Sequence, residues 1–233
     1  MTAKRIRGHE QAARLLAAFL SILAAPFLGR GMKSMAETLT TALELQVAEK
    51  RRDATSIQLE YRVTNRAAEP VYLLDRPSRD VHGGGTVLHE DFANVMFAEP
   101  DIVRIARGIL PLPLDHTVAR RAPTFLTKVE SGQTTVRSLK IGLPLIERRS
   151  YYADDEKPTE VKKLVSKVRF ELAFTELRPG MKIGERTLDS GPQALLEGRW
   201  APPYQRVLVF TLAITPTELT LHSDPFDRTE LVQ

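Results

Sequence analysis

The chain has 233 residues, 42% of them hydrophobic and 27% charged, which excludes disorder throughout and leaves ample length to bury a core. It contains no cysteine, so disulfide frameworks, lipid-modified cysteines, thiol catalysis and cysteine-ligated metals are excluded. The formal net charge of +4 does not mark a nucleic-acid binder: six of the 33 basic and one of the 29 acidic residues fall within 1–36, leaving 27 against 28 beyond, a net of −1 with no electrostatic footprint for a phosphate backbone.

The first element, residues 1–36, is tripartite. A basic start from Lys4 to Arg14 precedes the apolar run Leu15 to Leu28, and small residues follow at Ser34 and Ala36. This is the pattern of a secretory signal peptide. The apolar run is short for a spanning helix, and a leader left uncleaved would act as a membrane anchor, with Gly29-Arg30-Gly31 as a second possible cleavage site. Export to the periplasm or the extracellular space is the expectation. No later segment reaches spanning length, so contact with the membrane is expected only through the leader.

Beyond the leader the period changes to two. Leu43, Leu45 and Val47 alternate with polar neighbours, and so do Ile57, Leu59, Tyr61 and Val63, which predicts strands with one buried and one wet face. Glu49 to Ala54 joins them as a hairpin. A third strand is expected from Val71 to Asp75, ended by Arg76-Pro77-Ser78 and followed by a glycine turn at His82-Gly83-Gly84-Gly85. Ala93 to Ala98 and Ile102 to Gly108 read as a further hairpin, whereas Leu110 to Leu114 is too rich in proline for a central strand. Thr134 to Leu143 is another strand. Val161, Leu164 and Val165 have helical spacing after Pro158, which predicts a short helical turn. The most regular rows come late: Val168, Phe170, Leu172 and Phe174, then Leu208, Phe210, Leu212 and Ile214. Arg169 and Glu171 are expected to face water. Between these rows Arg178 to Pro203 reads as a long excursion, and 217–233 as a weakly structured tail. The reading is all-β, an antiparallel sandwich in one domain over 37–216, preceded by the N-terminal hydrophobic signal or anchor helix.

Val63-Thr64-Asn65, Pro70-Val71-Tyr72-Leu73 and Glu130-Ser131-Gly132-Gln133-Thr134 together resemble exported bacterial immunoglobulin-like domains, among them the Bacillus-type proteinase-inhibitor domains. The resemblance covers about a third of the chain and departs from the family's turn at Ser131. It implies an immunoglobulin-like sandwich and carries over no functional residue.

Two constellations could carry chemistry. His82-Gly83-Gly84-Gly85 matches the oxyanion-hole signature of lipase-like hydrolases, but no Gly-x-Ser-x-Gly nucleophile elbow exists, so a glycine turn is the better reading. His82, His89 and His116, with Glu90, Asp91 and Asp115, offer metal-ligand types without ligand spacing: after His89-Glu90 a zinc-protease motif needs histidine at 93, where alanine stands. Contact chemistry is the other possibility. Arg148, Arg149, Tyr151 and Tyr152 in one loop, and Trp200 and Tyr204 before the last strong row, are types that bury large area at small entropic cost. Against this stands the reading that the tyrosines fold back on the sandwich and Trp200 plugs its open end. The functional expectation is a non-catalytic exported module of the cell envelope, with another envelope protein as partner and no cofactor. A hydrolase or metal-dependent enzyme using the His82/His89/His116 region is the alternative.

Overall fold

Alternating apolar side chains bury one face of a strand, and two such faces must meet for either to leave water. The computed structural model describes residues 42–81, 84–111, 122–150, 158–197 and 205–222, and the elements within them are strands. The leader, His82, His116, Tyr151, Tyr152, Trp200, Tyr204 and the end of the chain lie outside the described residues.

The smaller sheet has three strands in the order β1 (Leu43–Arg52), β2 (Ser56–Asn65) and β8 (Thr134–Gly142), all antiparallel. Its register places Val47 opposite Tyr61 and aligns Ile57 with Ile141 and Leu59 with Leu139, so the apolar row of each strand lies on one face. The β1–β2 turn is held by Asp53, whose Oδ1 accepts the Thr55 and Ser56 amides, each at 2.9 Å.

The larger sheet is built around β10 (Pro158–Thr175). Along one edge β10 pairs antiparallel with β13 (Arg206–His222). Along the other it pairs first parallel with β6 (Asp101–Arg107), then antiparallel with β3 (Val71–Asp80). The sheet continues from β6 to β5 (Asn94–Glu99), and from β3 through β7 (Thr124–Val129) and β12 (Gly191–Leu196) to β11 (Ile183–Leu188). The short β4 (Thr86–Leu88) pairs with the end of β3. After β8 the chain crosses between sheets, and β9 (Leu145–Ile146) pairs with β13.

The two sheets share one core. Leu59, Tyr61, Val63 and Leu139 from the smaller sheet and Leu73, Ile105, Phe170 and Leu172 from the larger belong to a single buried cluster, the layering of the expected sandwich. The expectation of an antiparallel sandwich is corrected for the larger sheet, which is mixed because β6 and β9 join it parallel to β10 and β13 respectively. The rows of the last two regular strands face it as expected. Val168, Phe170, Leu172 and Phe174 are fully buried, whereas Phe210 and Leu212 on β13 are only partly so. Gly108 follows β6 with φ +141°, and a Cβ there would overlap the Ala173 Cβ, so backbone closeness requires glycine.

Five local expectations are corrected. Arg76-Pro77-Ser78 does not end β3. The strand is irregular between Leu73 and Arg76 and goes on to Asp80, with Pro77 paired near its exit toward β4. Val161, Leu164 and Val165 are strand rather than helix, because β13 supplies pairing partners from Thr217 to Thr220. Leu164 is 68% exposed and Val165 fully buried, as alternation requires. The excursion after Arg178 contains the β11–β12 hairpin, turned at Gly191 with φ +95°. β13 runs past 216 to His222, burying Leu219 and Leu221. Glu171 does not face water: it is 6% exposed on the outer face, between Arg104 at 2.6 Å and Arg169 at 3.1 Å.

Candidate functional site

Parity along a strand decides which face each side chain takes, and two charged residues have the parity of the core. Asp75 follows Leu73 on β3, and Arg107 follows Ile105 on β6. Both are buried, at 2% and 5% exposure, and both meet Tyr61 from the facing sheet. The Tyr61 hydroxyl donates to Asp75 Oδ2 at 3.0 Å and accepts from Arg107 Nη1 at 3.1 Å. Its ring lies 5.2 Å from that of Phe170. Arg107 also donates to the carbonyls of Glu90 and Phe92, which fixes the approach to β5. Arg137 of β8 reaches within 4.0 Å of Asp75 Oδ2, while Asp75 Oδ1 has no hydrogen-bond partner among the described residues.

Burial first, and the Asp75 charge second, push the Tyr61 pKa far above its ordinary value. A phenol that holds its proton this firmly is neither a ready nucleophile nor a base. It serves as a neutral bridge between a buried anion and a buried cation, and so ties the two sheets through charge-assisted hydrogen bonds.

The loop arginines do not present themselves to solvent. Arg148 is half-buried. Its backbone bridges Val95, its Nε and Nη2 donate to the Ala93 carbonyl at 3.3 and 3.2 Å, and its guanidinium lies 4.5 Å over Phe92. Burial lowers its pKa. Arg149 Nη2 donates to Glu147 Oε1 at 3.3 Å, with the two side chains 11% and 1% exposed. The Ser150 amide then donates to Asn94 Oδ1 at 2.7 Å. Both arginines thus anchor the segment leading to Tyr151. His89 is half-buried with its ring 5.4 Å from Phe92, and among the described residues no three His, Asp or Glu side chains are grouped for a metal. Among them no helix is long and apolar enough to cross a membrane.

The structure brings together two of the strings that carry the family resemblance. Asn65 Nδ2 donates to the carbonyls of Glu69 at 2.9 Å and Val129 at 3.0 Å, and Asn65 Oδ1 accepts the Ala67 amide at 2.9 Å. Its backbone exchanges hydrogen bonds with Gly132 and Gln133, and the Ser131 hydroxyl donates to Ala67 O at 2.7 Å. The buried trio was missed in the sequence because Tyr61 reads as one more member of an apolar row. The available signal was opposite charge at inward parity, Asp75 on one strand and Arg107 on another. Compared with known proteins, the chain matches no family model, no curated protein and no solved structure.

Proposed function

We propose that this chain is an exported, non-catalytic module of the cell envelope, an immunoglobulin-like sandwich that binds another envelope protein. The single observation that carries the reading is the tripartite N-terminus, basic, then apolar, then small residues at Ser34 and Ala36. The immunoglobulin-like class is supported by the Asn65 network, which joins the turn after β2 to the turn between β7 and β8. A binding role is favoured over catalysis because the polar core cluster is spent on itself, with the Tyr61 proton held by burial. Tyr151, Tyr152, Trp200 and Tyr204 are the contact residues of this reading, with Arg148 and Arg149 positioning the loop that carries the first two.

Two measurements in the native host test it. N-terminal sequencing of the purified protein should find a start near Glu37. A cytoplasmic product beginning at Met1 or Thr2 would refute export. Proximity labelling should mark an envelope protein, and the labelling should disappear when Tyr151 and Tyr152 are both changed to Ala in a chain that keeps its circular dichroism. Labelling untouched by that change would refute the contact surface.

A further inference from the structure

Exposed sheet edges are templates for another strand, and proteins guard them with charge, irregularity or cover. The edge strand β1 is guarded in this way: it carries Glu44, Glu49, Lys50, Arg51 and Arg52 and is irregular between Glu49 and Arg51. The edge strand β11 carries Glu185 and Arg186. β13 is different. From Val207 to Thr217 it has no charged residue, and before Ala213 it pairs with β10 without a register shift. Among the described residues its opposite edge is paired only at Leu219 and Thr220, by β9.

The side chains of this stretch are uncharged on both faces, while on the outer face Val209 and Thr211 stand opposite Glu171 and Arg169 of β10. Val207 and Val209, on the outer face, are 42% and 50% exposed. Phe210 and Leu212, in the inward row, are only partly buried. Among the described residues no strand covers this flank of the core, and an occupant that fits it supplies both backbone hydrogen bonds and apolar side chains.

We propose that the occupant is the same strand of a second copy of this chain, giving a two-fold dimer in which the larger sheet continues across two β13 strands. Antiparallel self-pairing must set residues of equal parity opposite each other, or one copy would turn its core row to water. Centred on Phe210, the regular stretch satisfies this. Leu208 faces Leu212 and Phe210 faces its own copy in the inner layer, while Val207 faces Ala213 and Val209 faces Thr211 outside. No charge is set against a like charge. The register stops before the irregularity at 214–216, where the inward parity changes from Ile214 to Thr217. The contact is isologous, uses each open edge once, and closes without growing into a fibre. It depends neither on export nor on any partner protein.

The chain has no native cysteine, so an introduced thiol is unique. The full chain should sediment as a dimer, and Val209→Lys should weaken the dimer at least about tenfold, equivalent to 1.4 kcal/mol. Val136→Lys, at a site of similar exposure (45%) on the outer face of β8, should leave it intact. Under mild oxidation Phe210→Cys, at the position that faces its own copy, should yield covalent dimer and Val136→Cys should not. A wild-type chain that stays monomeric, a dimer indifferent to Val209→Lys, or equal cross-linking from both cysteine positions would overturn the proposal. The last two outcomes would mark association through some other part of the chain.

Discussion

Replacing Tyr61 by Phe removes one oxygen and leaves the ring in place against Phe170, so the loss isolates the polar bridge. Two hydrogen bonds go, each to a charged group: Asp75 Oδ2 at 3.0 Å and Arg107 Nη1 at 3.1 Å. Arg107 keeps its carbonyl acceptors at Glu90 and Phe92, so its share of the loss is small. Asp75 does not fare as well. Its side chain is fully buried, its Oδ1 already lacks a hydrogen bond, and the nearest remaining cation, Arg137 Nε, is 4.0 Å from Oδ2. A hydrogen bond to a charged group contributes about 1.5–3 kcal/mol, and removing one partner of a buried charged pair costs about 3–5 kcal/mol. With Arg137 close by, the expected destabilisation is about 3 kcal/mol, a large part of the roughly 5–15 kcal/mol that holds a domain folded. Urea unfolding followed by tryptophan fluorescence and circular dichroism measures it, as a lower midpoint at unchanged slope. A double-mutant cycle with Asp75→Asn should return a coupling of at least about 1 kcal/mol. A single-mutant loss under about 0.5 kcal/mol, with no coupling, would refute the view that the phenol ties the sheets together.

Phe170→Ala, at a fully buried position, should cost about 3–5 kcal/mol in the same assay. Glu171→Ala should cost about 1–2 kcal/mol rather than the few tenths of an open surface site, because it strips Arg104 and Arg169 of their shared carboxylate. The value sits below that of a fully buried pair because those arginines are 37% and 41% exposed, and it should shrink in high salt. An effect of Glu171→Ala indistinguishable from zero would refute the outer-face ion pair. The Asp53 carboxyl, stabilised first by the Thr55 amide, should titrate at about 2 instead of the ordinary 3.8 when followed by carboxyl NMR. Its pKa is lowered on folding, so its contribution to stability is complete above the unfolded value and fades as the pH falls from 3.8 through about 2. An ordinary value would mean that the turn does not hold its hydrogen bonds in solution.

The sequence by itself determined the strands and most of their faces. Ile57, Leu59, Tyr61 and Val63 on β2, and Val168, Phe170 and Leu172 on β10, alternate with polar residues between them, and alternation is a property of the chain alone. It could not say which outward face is wet. Glu171 has the parity of a solvent residue and is buried because Arg104 on the neighbouring β6 reaches over to it. Nor could local spacing tell strand from helix at Val161, Leu164 and Val165, where only pairing with the end of β13 decides. Pro77 reads as a stop because proline cannot donate to a ladder, yet an irregular stretch near a strand's exit accommodates it. Tyr61 meets Asp75 and Arg107 across separations of 14 and 46 residues, and none of the three carries a local mark of the others. Side-chain direction follows from the backbone's two-residue period, but the burial of a charge depends on the partner that a distant strand brings to it, and only the packed sheets supply that partner.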